Sequence, residues 1–251
     1  MKTIFITAIL NIGYATTKTI DFLFEQFDFT CQSGIPLFVF TSIDFLERLQ
    51  TLKEKYHNIL HIEILNYSQL YTNDKFSELV AIKVPEIRNV GKDTFNYMVL
   101  MNSKFEFLKR AKDILNNSEN PENPNFYSWL DFGLFHVLHN KEEGIQKLQE
   151  ISSYEWKTPL IRFPGCWSKG QNIEDVYKRI NWRFCGGFFI MDSETLDFMY
   201  NKFFEYFEIF RVHNRIVWEV NLWALMEEDF NIDFGWFKGD HNNTILNVPF
   251  N

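Results

Sequence analysis

The sequence predicts an α/β fold: a mostly parallel central sheet flanked by helices, in a single domain. Three observations carry that prediction. Short runs rich in β-branched and aromatic residues alternate with helix-periodic stretches over residues 3–65, in the order strand, helix, strand, helix, strand. The first run, Ile4 to Leu10, is almost continuously apolar, the pattern of a strand covered on both faces. The chain has 251 residues, 46% of them hydrophobic, which suits one large core better than two small ones.

Taken in order, residues 3–10 read as the first strand, broken by Asn11-Ile12-Gly13. The polar loop to Thr19 is either an ordinary strand-to-helix turn or a loop that approaches a nucleotide. Residues 21–29 read as a helix and residues 36–41 as a second parallel strand. Ser42 can cap the next helix, which carries Phe45, Leu46, Leu49 and Leu52 at helical spacing. Residues 59–65 read as a third strand, with His57 and His61 as structural or surface histidines at its edges. Such alternation implies right-handed crossovers. Residues 66–92 are polar and irregular and read as a loop or short-helix insertion. Phe95, Met98, Met101, Phe105, Leu108, Ala111 and Leu115 then form one stripe, which predicts a single long helix from Asp93. Asn102, Ser103 and Lys104 lie beside that stripe. Lys104 either snorkels to water or points into a ligand pocket. Residues 116–124 are a turn-rich linker.

The linker delivers the chain to Asn125-Phe126-Tyr127-Ser128-Trp129-Leu130-Asp131-Phe132-Gly133, an aromatic strand that runs into an acid and a glycine. Ligands of open α/β sheets bind at the carboxyl ends of strands, so Asp131 is a ligand-binding candidate, against the plainer reading that it starts a turn. His136 and His139 form an H-x-x-H pair that lacks a further matched ligand. Residues 159–163 read as a strand and 165–181 as a loop over the site. Residues 182–192 read as a strand interrupted by Gly186 and Gly187, which mark a bulge or a close backbone approach to a ligand. Asp192 and Ser193 cap a helix with Leu196, Met199, Phe203, Phe207 and Phe210 on one face. Glu219 sits in the first turn of a further helix, where an acid suits the helix dipole. Residues 232–237 read as a short strand leading into the polar cluster Lys238, Asp240 and His241.

Several classes are excluded. A net charge of −8 without a basic cluster disfavours nucleic-acid binding. Neither G-x-G-x-x-G after the first strand nor a P-loop is present. Cys31, Cys166 and Cys185 give neither a disulfide framework nor a zinc pattern by spacing, and Cys185 reads as a small buried filler. A reducing, cytoplasmic location is expected. No apolar run approaches the ~20 residues of a membrane helix, and the N-terminal run reads as a strand rather than a signal peptide.

Five motifs, in order, carry a resemblance: Asn102-Ser103-Lys104, Trp129 to Gly133, Phe184 to Asp192 with its two glycines, Trp218-Glu219-Val220-Asn221, and Lys238-Gly239-Asp240-His241. Together they resemble the HtrL/YibB-like family of glycosyltransferases over nearly the whole chain. More distantly the chain is similar to GT-A-fold glycosyltransferases. The resemblance implies a GT-A-like (Rossmann-like) domain with a nucleotide-binding half at 1–133 and an acceptor-binding half at 134–251. It implies transfer of a sugar from a nucleotide-sugar, UDP-sugars favoured, to a hydroxyl acceptor such as a glycan. Asp131 matches the first acid of an Asp-x-Asp motif, with Gly133 in place of the second. Mn²⁺ or Mg²⁺ would be held by Asp131 and His241. Asn102, Lys104, Gly186, Gly187 and Lys238 would meet the donor. Glu219 would act with Asp131 in catalysis, as general base in an inverting reaction or as a positioning group in a retaining one. Trp167, Trp182 and Trp218 either stack on sugar rings or pack. Two other classes stay open: a non-catalytic nucleotide-sugar or glycan-binding module, and a sugar nucleotidyltransferase.

Overall fold

The computed structural model describes residues 3–13, 18–77, 79–117 and 124–250. Seven strands form one sheet: β1 (Thr3–Ile9), β2 (Leu37–Thr41), β3 (Ile59–Ile64), β4 (Phe126–Leu130), β5 (Ile161–Gly165), β6 (Phe188–Asp192) and β7 (Trp236–Lys238). Their spatial order is β3-β2-β1-β4-β6-β5-β7. Only β6 runs against its neighbours, β4 and β5; the other pairings are parallel. The α/β class and the mostly parallel sheet are therefore as the sequence predicts.

The alternation of β1 explains the layers. Phe5 and Ile9 face one cluster with Phe24 and Phe27 of α1 (Ile20–Gln32), Leu49 of α2 (Leu46–Tyr56) and Leu148 of α6 (Lys141–Ser153). Ile4, Ile6 and Ala8 face the other, with Phe105 and Leu108 of α5 (Lys104–Asn116), Phe203 and Phe207 of α7 (Ser193–Val212) and Trp223 of α8 (Glu219–Asp229). Many of the phenylalanines are spent here. Phe105 alone lies within 6.5 Å, centroid to centroid, of Phe163, Phe189, Phe203 and Trp223. Such ring pairs add about 0.5–1.5 kcal/mol each beyond area burial.

The insertion after β3 contains a short helix, α3 (Tyr71–Ser77), one of the two forms expected for it. Two elements differ from expectation. The predicted long helix is two helices, α4 (Phe95–Asn102) and α5, joined at Ser103. The Ser103 hydroxyl donates to the Val99 carbonyl at 2.9 Å and its N–H bonds the Leu100 carbonyl, so the ladder tightens and breaks there. The predicted strand at 182–192 keeps only its last five residues, because the paired glycines lead into it as irregular backbone.

The strand order fixes where a ligand can sit. From β1 the chain crosses outward to β2 and β3, then returns to place β4 on the opposite side of β1. The two crossovers diverge there, leaving a crevice beyond the carboxyl ends of β1 and β4. Asp131 is the first residue past β4.

Candidate functional site

Asp131 is held in one orientation. Its Oδ1 accepts a 2.7 Å hydrogen bond from the Trp129 indole and lies 3.2 Å from Lys104 Nζ. Its Oδ2 accepts no hydrogen bond among the described residues, and the side chain is 34% exposed. The β4–β6 pairing continues one step beyond both strands, where Asp131 N–H donates to the Gly187 carbonyl at 2.9 Å. That step brings the glycine pair to the carboxylate.

Beneath Asp131 lies a buried ion network. Lys104, 1% exposed, opens α5 just after the Ser103 break. Its ammonium donates to Glu219 Oε1 and to the Gly186 carbonyl, both at 2.8 Å, and reaches Asp131. These three contacts use all three of its donors. Burial alone would lower the Lys104 pKa; the Asp131 and Glu219 carboxylates outweigh it, and the net shift is upward. Gly186 is a glycine for a local reason: a Cβ there would fall 2.3 Å from Glu219 Oε1 and 2.9 Å from Lys104 Nζ. The sequence predicts a bulge or a close backbone approach to a ligand; at Gly186 the close approach is instead to these two side chains. Tyr97 of α4 joins this region. Burial first, then Asp131, Glu219 and Asp93, push its phenol well up.

The opposite wall is basic. Lys18, in the loop after β1, is held down to about 8, first by burial and then by Lys92, against the pull of Asp131. His136 is also lowered, by burial and then by Lys18 and Lys92, although its Nδ1 lies 2.6 Å from the Gly133 carbonyl and Asp131 opposes the shift. Cations gathered this closely form a ready receptor for an anion. Sequence reasoning singled out neither lysine. The signal available was the polar loop after the first strand. Two concavities of about 710 and 700 Å³ lie elsewhere, one between α1 and α2 and one beside Asn125 and Trp156; neither touches Asp131.

A second cluster lies at the end of β5. Cys166 Sγ is 3.4 Å from Cys185 Sγ and 3.3 Å from Asp240 Oδ1. His241 packs edge-on against Trp182 at 4.5 Å, with Nδ1 3.4 Å from Asp240 Oδ1. The Cys166 thiol is pulled down to about 6, chiefly by its Cys185 hydrogen bond and then by His241, against burial. Cys185 is pushed up by the same bond and by burial. The Lys238 ammonium is exposed and donates to the Cys166 carbonyl.

Several predicted roles change in this geometry. Asn102 is 1% exposed and its amide donates to the Met98 and Val217 carbonyls, so it braces α4 against the approach to α8 instead of meeting a donor. Lys104 is a buried counter-ion, not a cation open to phosphate. Glu219 is 4% exposed with Oε1 bound to Lys104, which leaves Oε2 as its one oxygen without a hydrogen bond among the described residues. Gly186 is buried, while Gly187 is partly exposed beside Asp131. Among the described residues, the group of three metal-capable side chains that includes His241 is Cys166, Cys185 and His241, without Asp131. Neither His136 nor His139 belongs to such a group. Trp218 is core, and Trp182 is half-buried against His241.

A Mn²⁺ or Mg²⁺ ion therefore fits the chain through one oxygen, Asp131 Oδ2. That is compatible with a hard ion whose remaining ligands are water and substrate phosphates. The thiols around His241 do not suit such an ion. No described helix is long and apolar enough to cross a membrane.

No protein-family model matches the chain. No curated protein matches it either. Among solved structures, mouse xyloside xylosyltransferase 1 in its apo form aligns over 96% of this chain and 85% of its own, with 9% identity and a TM-score of 0.49. The 4-diphosphocytidyl-2C-methyl-D-erythritol synthase of Anaerococcus prevotii aligns over 97% and 91%, with 11% identity and a TM-score of 0.44. At these values the likenesses carry no residue roles.

Proposed function

We propose that this protein is a glycosyltransferase that takes a sugar from a nucleotide-diphosphate sugar, a UDP-sugar first among the candidates, and passes it to a hydroxyl acceptor. The observation that carries the reading is the oriented Asp131 carboxylate, with Oδ2 unengaged, at the switch point of the sheet and close enough to Lys18 to act on its charge. The ordered motifs that resemble HtrL/YibB-like glycosyltransferases support it. The leaving group of such a reaction is a nucleoside diphosphate, so catalysis needs positive charge where the phosphate charge grows. Lys18 and Lys92 supply it as point cations. A Mn²⁺ or Mg²⁺ ion on Asp131 Oδ2, when bound, would add Lewis-acid stabilisation of the same oxygens. Lys104 acts on the reaction only through Asp131 and Glu219, by fixing their positions. The free Oε2 of Glu219 is the atom that would meet a donor or acceptor hydroxyl. Partners are thus a nucleotide-sugar donor and a glycan or other hydroxyl acceptor.

The test is a thermal-shift screen with UDP-, GDP-, CMP- and dTDP-sugars, each with Mn²⁺ and with EDTA, on the wild type and Asp131→Asn. A donor at ~100 times its dissociation constant should add ~2.7 kcal/mol. We expect one nucleotide family to shift the wild type and to lose at least half of that shift in Asp131→Asn. Slow release of nucleoside diphosphate from the same donor would separate a transferase from a binding module. No shift with any donor would remove the reading.

A further inference from the structure

We propose that Cys166, Cys185 and His241 bind a zinc ion, in a thiolate–imidazole site separate from the Asp131 crevice. The three residues are far apart in sequence and come together through backbone bonds. Cys185 N–H donates to the Pro164 carbonyl at 2.7 Å, which lays the residue beside the end of β5. Cys166 N–H and Trp167 N–H both donate to the Trp182 carbonyl at 3.0 Å. Gly239 N–H donates to the Gly165 carbonyl at 3.0 Å, which brings the His241 turn to the same place. Gly165 permits the crossing, since a Cβ there would meet the Arg183 carbonyl oxygen at 1.7 Å. One ligand atom from each of the three side chains then lies within 4.8 Å of the other two.

The spacing of the two sulfurs suits a tetrahedral ion. Two thiolates at the ~2.3 Å Zn–S distance stand about 3.8 Å apart across a tetrahedral edge. The sulfurs here are 3.4 Å apart, so a small opening of the pair admits the ion. Two thiolates and an imidazole favour zinc over oxygen-seeking Mg²⁺ and Mn²⁺. Binding would release the thiol protons to solvent. Asp240 completes the arrangement. Its Oδ1 accepts the His241 N–H at 2.7 Å and lies 3.4 Å from Nδ1, the place of a carboxylate that orients a ligating imidazole. Cys185 directly precedes Gly186 and Gly187, so an ion here would tie β5 and the C-terminal turn to the backbone that carries Lys104, Glu219 and Asp131.

The site does not depend on the donor reading, and its readout is metal content and a spectrum. We would purify the full chain under reductant without chelator, measure its zinc by mass spectrometry, then titrate the stripped protein with Co²⁺ and back-titrate with Zn²⁺. The expected result is equimolar zinc and a thiolate–cobalt absorption that zinc, but not Mg²⁺, abolishes. Cys166→Ser and His241→Ala lie at partly exposed positions, so they should keep the wild-type melting profile of the stripped protein while losing at least ~100-fold in affinity. Asp240→Asn should lose ~10–100-fold, as outer-shell partners do. The proposal is overturned if reduced wild-type protein gives no thiolate–cobalt band, or if the band survives both ligand substitutions. A Cys166–Cys185 disulfide in protein purified with reductant and zinc present would overturn it as well.

Discussion

Lys104 shows how much a single side chain decides here. A buried ammonium is costly unless it is paired and hydrogen-bonded, and this one has Asp131, Glu219 and the Gly186 carbonyl. Lys104→Met would strand the Glu219 carboxylate, and breaking such a pair from one side costs about 3–5 kcal/mol. We expect that loss in chemical denaturation of Lys104→Met, with a substantial part recovered in Lys104→Met/Glu219→Gln. A double variant no more stable than the single would show that the two residues do not act as a pair. Lys18 gives a second prediction at this scale. Its pKa of about 8 lies below the ordinary 10.5, so the unfolded chain holds more protons between those values. Stability of the free protein therefore rises with pH through that window. Diphosphate affinity moves the other way. It should be flat below pH about 8 and fall up to about tenfold per pH unit above it, as the ammonium is lost. Calorimetric titration of the nucleoside diphosphate across that range checks this, and Lys18→Met should flatten the curve. The sequence marked Asp131, Lys104 and Gly186 individually, by an acid at a strand end, a lysine beside an apolar stripe and a glycine near a strand; Glu219, an acid that suits its helix dipole, stood out only through the resemblance. That they form one network is a property of the strand order, which no local rule contains.

At the scale of elements, Asp192 separates support from function. It ends β6 and caps α7, accepting from the Glu194 and Thr195 N–H groups at 2.9 Å each. Its second oxygen takes the Thr195 hydroxyl at 2.9 Å and the Leu160 N–H at 2.5 Å. Replacement of a cap by alanine costs ~0.5–2 kcal/mol. Asp192→Ala should fall at or above the top of that range, since it also leaves the Leu160 N–H without its side-chain partner. It lies at the end of β6 away from Gly187, so donor affinity per folded molecule should be unchanged. A thermal melt and a donor titration on the same variant test both halves of the statement. This cap was legible because Asp-Ser before a helix-periodic run is a local signal. The break at Ser103 was not, since the apolar stripe runs unbroken through it, and only the hydroxyl bond to Val99 shows where the ladder ends. The Cys166, Cys185 and His241 cluster escaped for a related reason. Metal-site spacing rules describe ligands on one hairpin or helix, whereas these come from three segments joined by β5 pairing with the chain on either side.

At the scale of the molecule, the expected division at residue 133 is not a boundary between folding units. Strand β4 lies before that point and β6 after it, and they are paired over five positions from Phe126–Asp192 to Leu130–Phe188. The core runs across the same line, with Phe105 of α5 against Phe189, Phe203 and Trp223. The ion network crosses it again, from Lys104 to Glu219. Cutting there would expose the open edges of two central strands and one partner of a buried charge pair. We therefore expect one cooperative unfolding transition for the whole chain, with calorimetric and van't Hoff enthalpies equal. Fragments 1–133 and 134–251, expressed separately, should lack that transition and should aggregate or stay unfolded. A donor held by Asp131 should then raise the melting temperature of the entire molecule, since the crevice has no independently melting lobe. Two resolved transitions, or a fragment that melts cooperatively alone, would contradict this account and make the crevice a joint between separable halves. A joint could close on its ligand. The continuous sheet instead predicts a site whose floor is fixed before the donor arrives, with changes on binding confined to segments outside the sheet.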